Sequence, residues 1–292
     1  MRSKTEFKPH EKFEHYLIVF LAIGAAIVLI YLALLGPLFL DKINYKTSQS
    51  AKYQTIGQDL VNLIVLVPLL LIGALLQMLH REDAKHFLVL SPIYMIYMAL
   101  SYGIGMEWSD NRYQGNSQNY FWCYLYLIIA ALIMLMYIPS KFVSEDAPEY
   151  TNRQLFVYIP LVGIFLLIFA KMWIDEVIQV IQQGDTASGS YSAAPTIFWV
   201  IRYFDLGFTI PLGFISLYLL ATRPTTGYPY LLLFFGFFVT MILAVNAMAA
   251  VMWYNNDPEL QSGDIYIFCI LAILSFAGYL FLIKDKIKNI IH

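Results

Sequence analysis

Eight apolar runs, each about 18–25 residues long, occupy most of this chain and decide what it can fold into. They cover residues 16–40, 60–79, 87–106, 121–138, 155–174, 197–221, 230–253 and 265–283. Each is long enough to cross a hydrocarbon core about 30 Å thick as a helix. The runs are continuous rather than alternating, which is the pattern of helices and not of barrel strands. Inside a bilayer every backbone donor and acceptor must be satisfied within its own segment, so the expectation is an all-α polytopic membrane helix bundle of about eight transmembrane helices. Composition agrees. Charged residues make up 13% of the 292, against about 25% in a soluble domain, and hydrophobic types make up 60%. Too few charges remain to cover a water-exposed surface. A soluble enzyme, a disordered chain and a secreted scaffold are thereby excluded, and two cysteines build no disulfide framework. A net charge of −2 leaves no basic footprint for nucleic acid.

Lysine and arginine set the expected orientation. With the N-terminus inside, the N-tail holds four, the inner connections two, two and one, and the C-tail three. The outer side holds five, three of them (Lys42, Lys46, Lys52) in the first outer connection. Both termini are expected in the cytoplasm and the chain in the cell membrane. The first run has about 25 residues and no small-residue cleavage site after it, so it reads as a true span and not a signal peptide. Tyr and Trp gather near segment ends (Trp108, Trp122, Trp173, Trp199, Trp253), as in an interfacial belt.

Halving the chain gives an offset of 146, at which Asp59 meets Asp205 and Cys123 meets Cys269. In each half an Asp-Leu pair is followed within the same segment by a proline, Pro68 and Pro211. Two parallel four-helix repeats are expected, residues 1–146 and 147–292, related by an axis along the membrane normal.

Three stretches carry a family resemblance. They are Gly57-Gln58-Asp59-Leu60-Val61 with Pro68, Tyr94-Met95-Ile96-Tyr97 with Tyr102-Gly103, and the run from Tyr203 to Leu212 with Asp205-Leu206-Gly207-Phe208 and Pro211. Together they resemble an uncharacterised family of bacterial multi-pass integral membrane proteins. The resemblance implies a multi-pass membrane protein and no established activity, so it assigns no residue a role.

Ionisable groups inside spans are costly and therefore mark candidate sites. Asp205 leads, with Arg202 three residues earlier on the same face and Thr209 one turn on. Pro211 leaves the Gly207 carbonyl without its usual donor. Asp59 reads as the counterpart of Asp205 or, at the start of the second apolar run, as a helix cap. Gln58 and Asn62 flank it. Lys171 and Asp175 are spaced to pair, which leaves Glu176 over, either facing solvent or reaching an outer acidic vestibule with Glu107, Asp110 and Asp264. Tyr94, Tyr97 and Ser101 share one face of the third segment, beside Ser91 and Tyr102. Asn246 is a lone amide in the seventh, suited either to interhelical bonding or to ligand contact.

No catalytic residue, metal ligand or cofactor is expected. The five histidines fall outside the apolar runs, and no phosphate loop, nucleophile elbow or zinc-helix motif is present. Segments 7 and 8 hold no Lys before Lys284 for a retinal Schiff base. The expected partners are the lipid bilayer and a small solute or cation, moved through a site between the halves. The alternatives are an accessory subunit binding a protein partner, and a membrane enzyme acting on a lipid or quinone.

Overall fold

A computed structural model describes residues 9–106, 114–184 and 190–286. Among them are eight helices long and apolar enough to cross a membrane, and no strand. They are α1 (Lys12–Leu35), α2 (Gln49–Met78), α3 (Ala84–Gly105), α4 (Ser117–Lys141), α5 (Asn152–Gln183), α6 (Pro195–Thr222), α7 (Pro224–Tyr254) and α8 (Ile265–Leu282). Trp108, Glu107 and Asp110 lie outside the described residues, as does the side chain of Asp264.

The helices outrun the apolar segments that announced them. α2 begins at Gln49, where Ser48 caps it by accepting from the Ala51 N–H at 3.2 Å. This corrects the reading of Asp59 as a helix cap: Asp59 lies ten residues in, about 15 Å along a helix about 45 Å long. The extra turns are polar, yet Ser50, Ala51, Thr55, Gly57 and Gln58 are buried because α7 packs over them. Gly57 makes that approach possible, since a Cβ there would collide with the α7 backbone at Met248. The same lengthening brings His15 and His86, expected outside the spans, into the ends of α1 and α3.

Three helices widen locally into a π turn, at Asn62–Leu66 in α2, Ser101–Gly105 in α3 and Asp205–Thr209 in α6. In α2 and α6 the cause follows directly in sequence. Pro68 and Pro211 have no N–H, and the proline ring clashes with the carbonyl four residues back. The chain inserts a residue, so Val67 N–H bonds the Asn62 carbonyl and Ile210 N–H bonds the Asp205 carbonyl. These turns recur 143 residues apart, whereas the two aspartates recur at 146. In the register of the turns, Asn62 rather than Asp59 stands opposite Asp205.

The core forms where α7 meets both ends of the chain's order. α1 packs on α2 and α4, and α3 on α4; α6 packs on α5 and α7, and α7 on α8. Tyr158 of α5 closes the second group by stacking on Phe281 of α8 at 4.3 Å and donating to the Gly278 carbonyl at 3.2 Å. Between the groups α2 meets α7, α3 meets α6, and α3 meets α7.

An even number of crossings puts residues 12 and 286 at one end of the bundle, and that end is clamped by charge. Lys85 and Asp146 form a buried ion pair. The Asp146 carboxylate also accepts from the Val143 N–H at 2.8 Å, with Lys286 Nζ 3.9 Å away. Lys85 reaches the Lys141 carbonyl at 3.2 Å, and Lys141 pairs with Glu14 at 2.5 Å. Burial pushes the Asp146 carboxyl up, but the bonds from Lys85 and Val143 outweigh it and hold it below its ordinary value. A carboxyl depressed in the folded state stabilises fully above its unfolded value of about 3.9, and that contribution is lost as pH falls through the folded value. We predict that Asp146→Asn lowers stability by about 3 kcal/mol at neutral pH, because Lys85 is left buried without its counter-charge. The gap between variant and wild-type melting temperature narrows below about pH 4. An equal gap at every pH in thermal melts of the purified protein contradicts this account.

Candidate functional site

Two buried carboxylates inside spans dominate the chemistry, Asp59 on α2 at 1% exposure and Asp205 on α6 at 4%. Both lie toward the end of the bundle away from the termini, and their surroundings differ.

Asp205 is satisfied by neutral donors. Thr209, within the same π turn, donates to Oδ1 at 3.0 Å and also reaches the Asp205 carbonyl at 3.1 Å. Trp173 Nε1 of α5 donates to Oδ2 at 2.9 Å. Trp173 thus binds the site and does more than anchor a helix end. The expected Arg202–Asp205 pair is corrected: Arg202 pairs with Glu176, the acid expected to be left over. The guanidinium lies between the rings of Phe198 at 4.0 Å and Trp173 at 4.2 Å, a stack that shields its charge from the apolar surroundings. It is near enough for that charge to act on Asp205. Lys171 and Asp175 pair as expected, on an exposed face where such a pair contributes little.

Asp59 is satisfied on one oxygen only. Tyr102 of α3 donates to Oδ1 at 3.2 Å while also reaching the Thr55 carbonyl at 3.1 Å. Asn62 Nδ2 lies 3.4 Å from the same oxygen, and Tyr94 donates to Asn62 Oδ1 at 3.1 Å. Tyr45 and Tyr124, whose hydroxyls are 3.3 Å apart, close the wall, with the Tyr45 ring 5.3 Å from that of Tyr102. Oδ2 is buried and has no hydrogen-bond partner, and neither has the Gln58 amide nitrogen. Among the described residues no Lys, Arg or His lies at ion-pair distance from Asp59.

The shared face expected for Tyr94 and Tyr97 divides on packing. Tyr94 turns to α2, whereas Tyr97 packs between Phe204 at 5.4 Å and Phe237 at 5.5 Å and lies within electrostatic reach of Asp205. α3 therefore touches the surroundings of both acids. Asn246 belongs to neither. It donates to the Ile242 carbonyl at 2.8 Å and the Phe268 carbonyl at 3.3 Å, tying α7 to α8. Tyr102 could be found from sequence, because it lies eight residues past Tyr94, close to two full turns and on the same face. Tyr45 sits in a connection and carries no periodic signal.

Two grooves of 380 Å³ and 730 Å³ flank the far end of α3 and open sideways, one toward α4 and one toward α6. Their walls are largely apolar, with Leu100 and Ile104 in both, and among the described residues no Asp, Glu, His or Cys lines either. Among the described residues no group of three or more His, Cys, Asp or Glu is placed to hold a metal ion. Scans against protein-family models, curated proteins and solved structures gave no match to this chain. The eight apolar helices define an integral, multi-pass membrane protein.

We predict from the observed partners that a double-mutant cycle on Arg202→Met and Glu176→Gln gives a coupling of about 1–2 kcal/mol in thermal melts, reduced by the partial exposure of Glu176. The same cycle on Arg202→Met and Asp205→Asn gives a smaller one. A reversed order of the two couplings restores the Arg202–Asp205 pair.

Proposed function

We propose that this protein transports a small cation or proton across the membrane, with Asp59 and Asp205 as the groups that bind it. One observation carries the reading: Asp59 buries a carboxylate at membrane depth with one oxygen unpartnered and, among the described residues, no counter-cation beside it. An uncompensated acid in a low-dielectric interior is costly, and such groups mark ion and proton pathways. The tyrosines around Asp59, together with Asn62 and Gln58, supply neutral oxygen and amide groups for the same ion. Tyr94 and Tyr97 join the two acids through α3; Thr209 and Trp173 hold the second, with the Arg202–Glu176 pair beside it. Asn246 serves helix packing. The partners of Asp59 lie on α2 and α3, and those of Asp205 on α5 and α6, so the proposal is two ion sites, one within each half.

In this reading residues 1–146 and 147–292 are parallel repeats. The contacts α2 with α7, α3 with α6 and α3 with α7 support it, because a two-fold axis along the membrane normal exchanges the first two and maps the third onto itself. The chain resides in the cell membrane with both termini cytoplasmic, in line with the lysine and arginine asymmetry. Among the described residues the walls of the lateral grooves carry Tyr124 and Tyr203 but no His, Asp, Glu, Lys or Cys, and offer less support to lipid or quinone chemistry.

Proteoliposomes containing the purified chain should pass H⁺ or Na⁺ down a gradient, read with entrapped dyes. Asp59→Asn should reduce flux at least about tenfold while eluting as wild type in size exclusion, and Asp205→Asn should also impair it. Wild-type protein that moves no proton or alkali cation in either direction refutes the proposal. So do two Asn variants with unchanged flux.

A further inference from the structure

The connection that follows α1 carries an alternation the helices lack. Ile43, Tyr45 and Thr47 are buried while Lys42 and Asn44 are exposed, so residues 42–47 run as an extended strap with one face turned inward. The strap lies on the surroundings of Asp59. At its root, a Cβ placed on Gly36 would come within 2.8 Å of Asp59 Oδ2, so the chain leaving α1 packs directly on the carboxylate. Further along, the Tyr45 ring lies 5.3 Å from that of Tyr102, the phenol that donates to Asp59, and the Tyr45 hydroxyl lies 3.3 Å from that of Tyr124. Asn116, which directly precedes α4, ties the strap down. Its Oδ1 accepts from the Asn44 N–H at 2.8 Å, its Nδ2 donates to the Lys42 carbonyl at 2.9 Å, and its N–H donates to the Asn44 carbonyl at 2.9 Å. The two side-chain bonds lie at exposed positions, where water competes for them. Gly115 presses on the strap beside this clasp: a Cβ there would meet the Asn44 oxygen at 2.5 Å and the Lys46 nitrogen at 3.0 Å. On the inner face of the strap and along the first turns of α2, Thr47 Oγ1, Ser50 Oγ and Asp59 Oδ2 are buried without a hydrogen-bond partner. Each of these atoms would gain from contact with water.

We propose that residues 36–48 are a gate over Asp59, closed in this structure and opened by release of the Asn116 clasp, which lifts Tyr45 off Tyr102 and admits water to the carboxylate from the end of the bundle away from the termini. The inference deepens the transport reading and rests on it for what passes with the water, though the opening itself stands independently. The clasp is the release point because exposed hydrogen bonds exchange with water at little net cost. Ile43 and Tyr45 give up apolar burial when the strap lifts, and they set how rarely it does. Tyr45 suits this place. Its ring seals the closed state with apolar surface, while its hydroxyl leaves a long bond to Tyr124 and gains water in the open one. Elements that cover a site are drawn from the less stable parts of a fold, and a strap held at its edge by exposed bonds is such an element. The root of the strap links gate and site: because Gly36 packs on Asp59 Oδ2, what binds the carboxylate also bears on the strap. Asp205 lies outside this gate, with its donors on α5 and α6.

The test is thiol accessibility of the full chain in liposomes, with Cys123 and Cys269 replaced by alanine and Asp59→Cys as the reporter. A membrane-impermeant methanethiosulfonate is added at the face away from the termini. Asn116→Ala removes the two side-chain bonds of the clasp. Gly115→Ala wedges a methyl group against the strap, at a residue whose backbone lies outside the left-handed region. Each should raise the labelling rate of the Asp59→Cys reporter about fivefold or more. The same two changes should leave the rate of an Asp205→Cys reporter within about twofold. Unchanged labelling of the Asp59→Cys reporter in both variants overturns the gate. So does an equal rise at the Asp205→Cys reporter, which marks general loosening of the fold. Failures of the two readings separate in flux measurements on the chain that keeps both acids. Asn44→Cys and Asn116→Cys, bridged by a short reducible thiol cross-linker, should lower flux at least about tenfold, and reduction should restore it. Flux that persists through the cross-link overturns the gate and leaves transport standing. Strap-dependent labelling in a protein that moves no ion does the reverse.

Discussion

In a bilayer core no water replaces a backbone donor that the sequence omits, and that constraint shapes the half of the bundle that carries the acids. Pro37, Pro68 and Pro211 each remove an N–H from a spanning helix or its end. α2 and α6 respond by widening into π turns, which re-pair part of the backbone and shift the helix face that follows by about one residue. The side chains recruited to those turns are polar for the same reason. Thr209 bonds back into the widened turn of α6, and Asn62 opens that of α2 beside Asp59. The polar character of the site is thus partly the backbone's solution to proline.

The eight crossings were legible because hydropathy over twenty residues records the bilayer directly. The Lys171–Asp175 pair was legible because helical spacing alone determines it. What escaped sequence reading depended on tertiary cover. The first ten residues of α2 are polar and read as a connection, and only the packing of α7 over Gly57 reveals them as buried helix. With the helix start misplaced, Asp59 looked like a cap. Arg202 was assigned to Asp205 by proximity along one helix. Glu176, on a neighbouring helix, takes it instead, and Trp173 takes the carboxylate. Spacing along a helix cannot decide between partners within a helix and partners across helices, and for Arg202 the partner across helices prevails.

Asp59 and Asp205 have comparable burial and sit beside comparable turns, yet they are electrostatically unlike. Asp205 spreads its charge over Thr209 and Trp173 with Arg202 near. Each oxygen has a donor, and a buried acid so supplied resembles other well-satisfied polar groups in protein interiors. Asp59 gathers both its donors on one oxygen and leaves the other buried without one. The proposed repeats do not require equivalent sites, since exchanging a few neighbours moves a carboxylate from satisfied to unsatisfied.

The end of α1 supplies that exchange. Pro37 leaves the Ala33 carbonyl without its usual donor, and Gly36 lets Asp59 pack close to that helix end. The Gly207 carbonyl, freed in the same way by Pro211, belongs to a turn that borders the lateral groove between α3 and α6, where its neighbours are apolar. Two carbonyls released by the same chemistry thus meet opposite environments. One lies at a helix end against which a buried carboxylate packs. The other borders a groove with largely apolar walls. That difference sets Asp59 apart as the less satisfied of the two acids proposed to bind the ion.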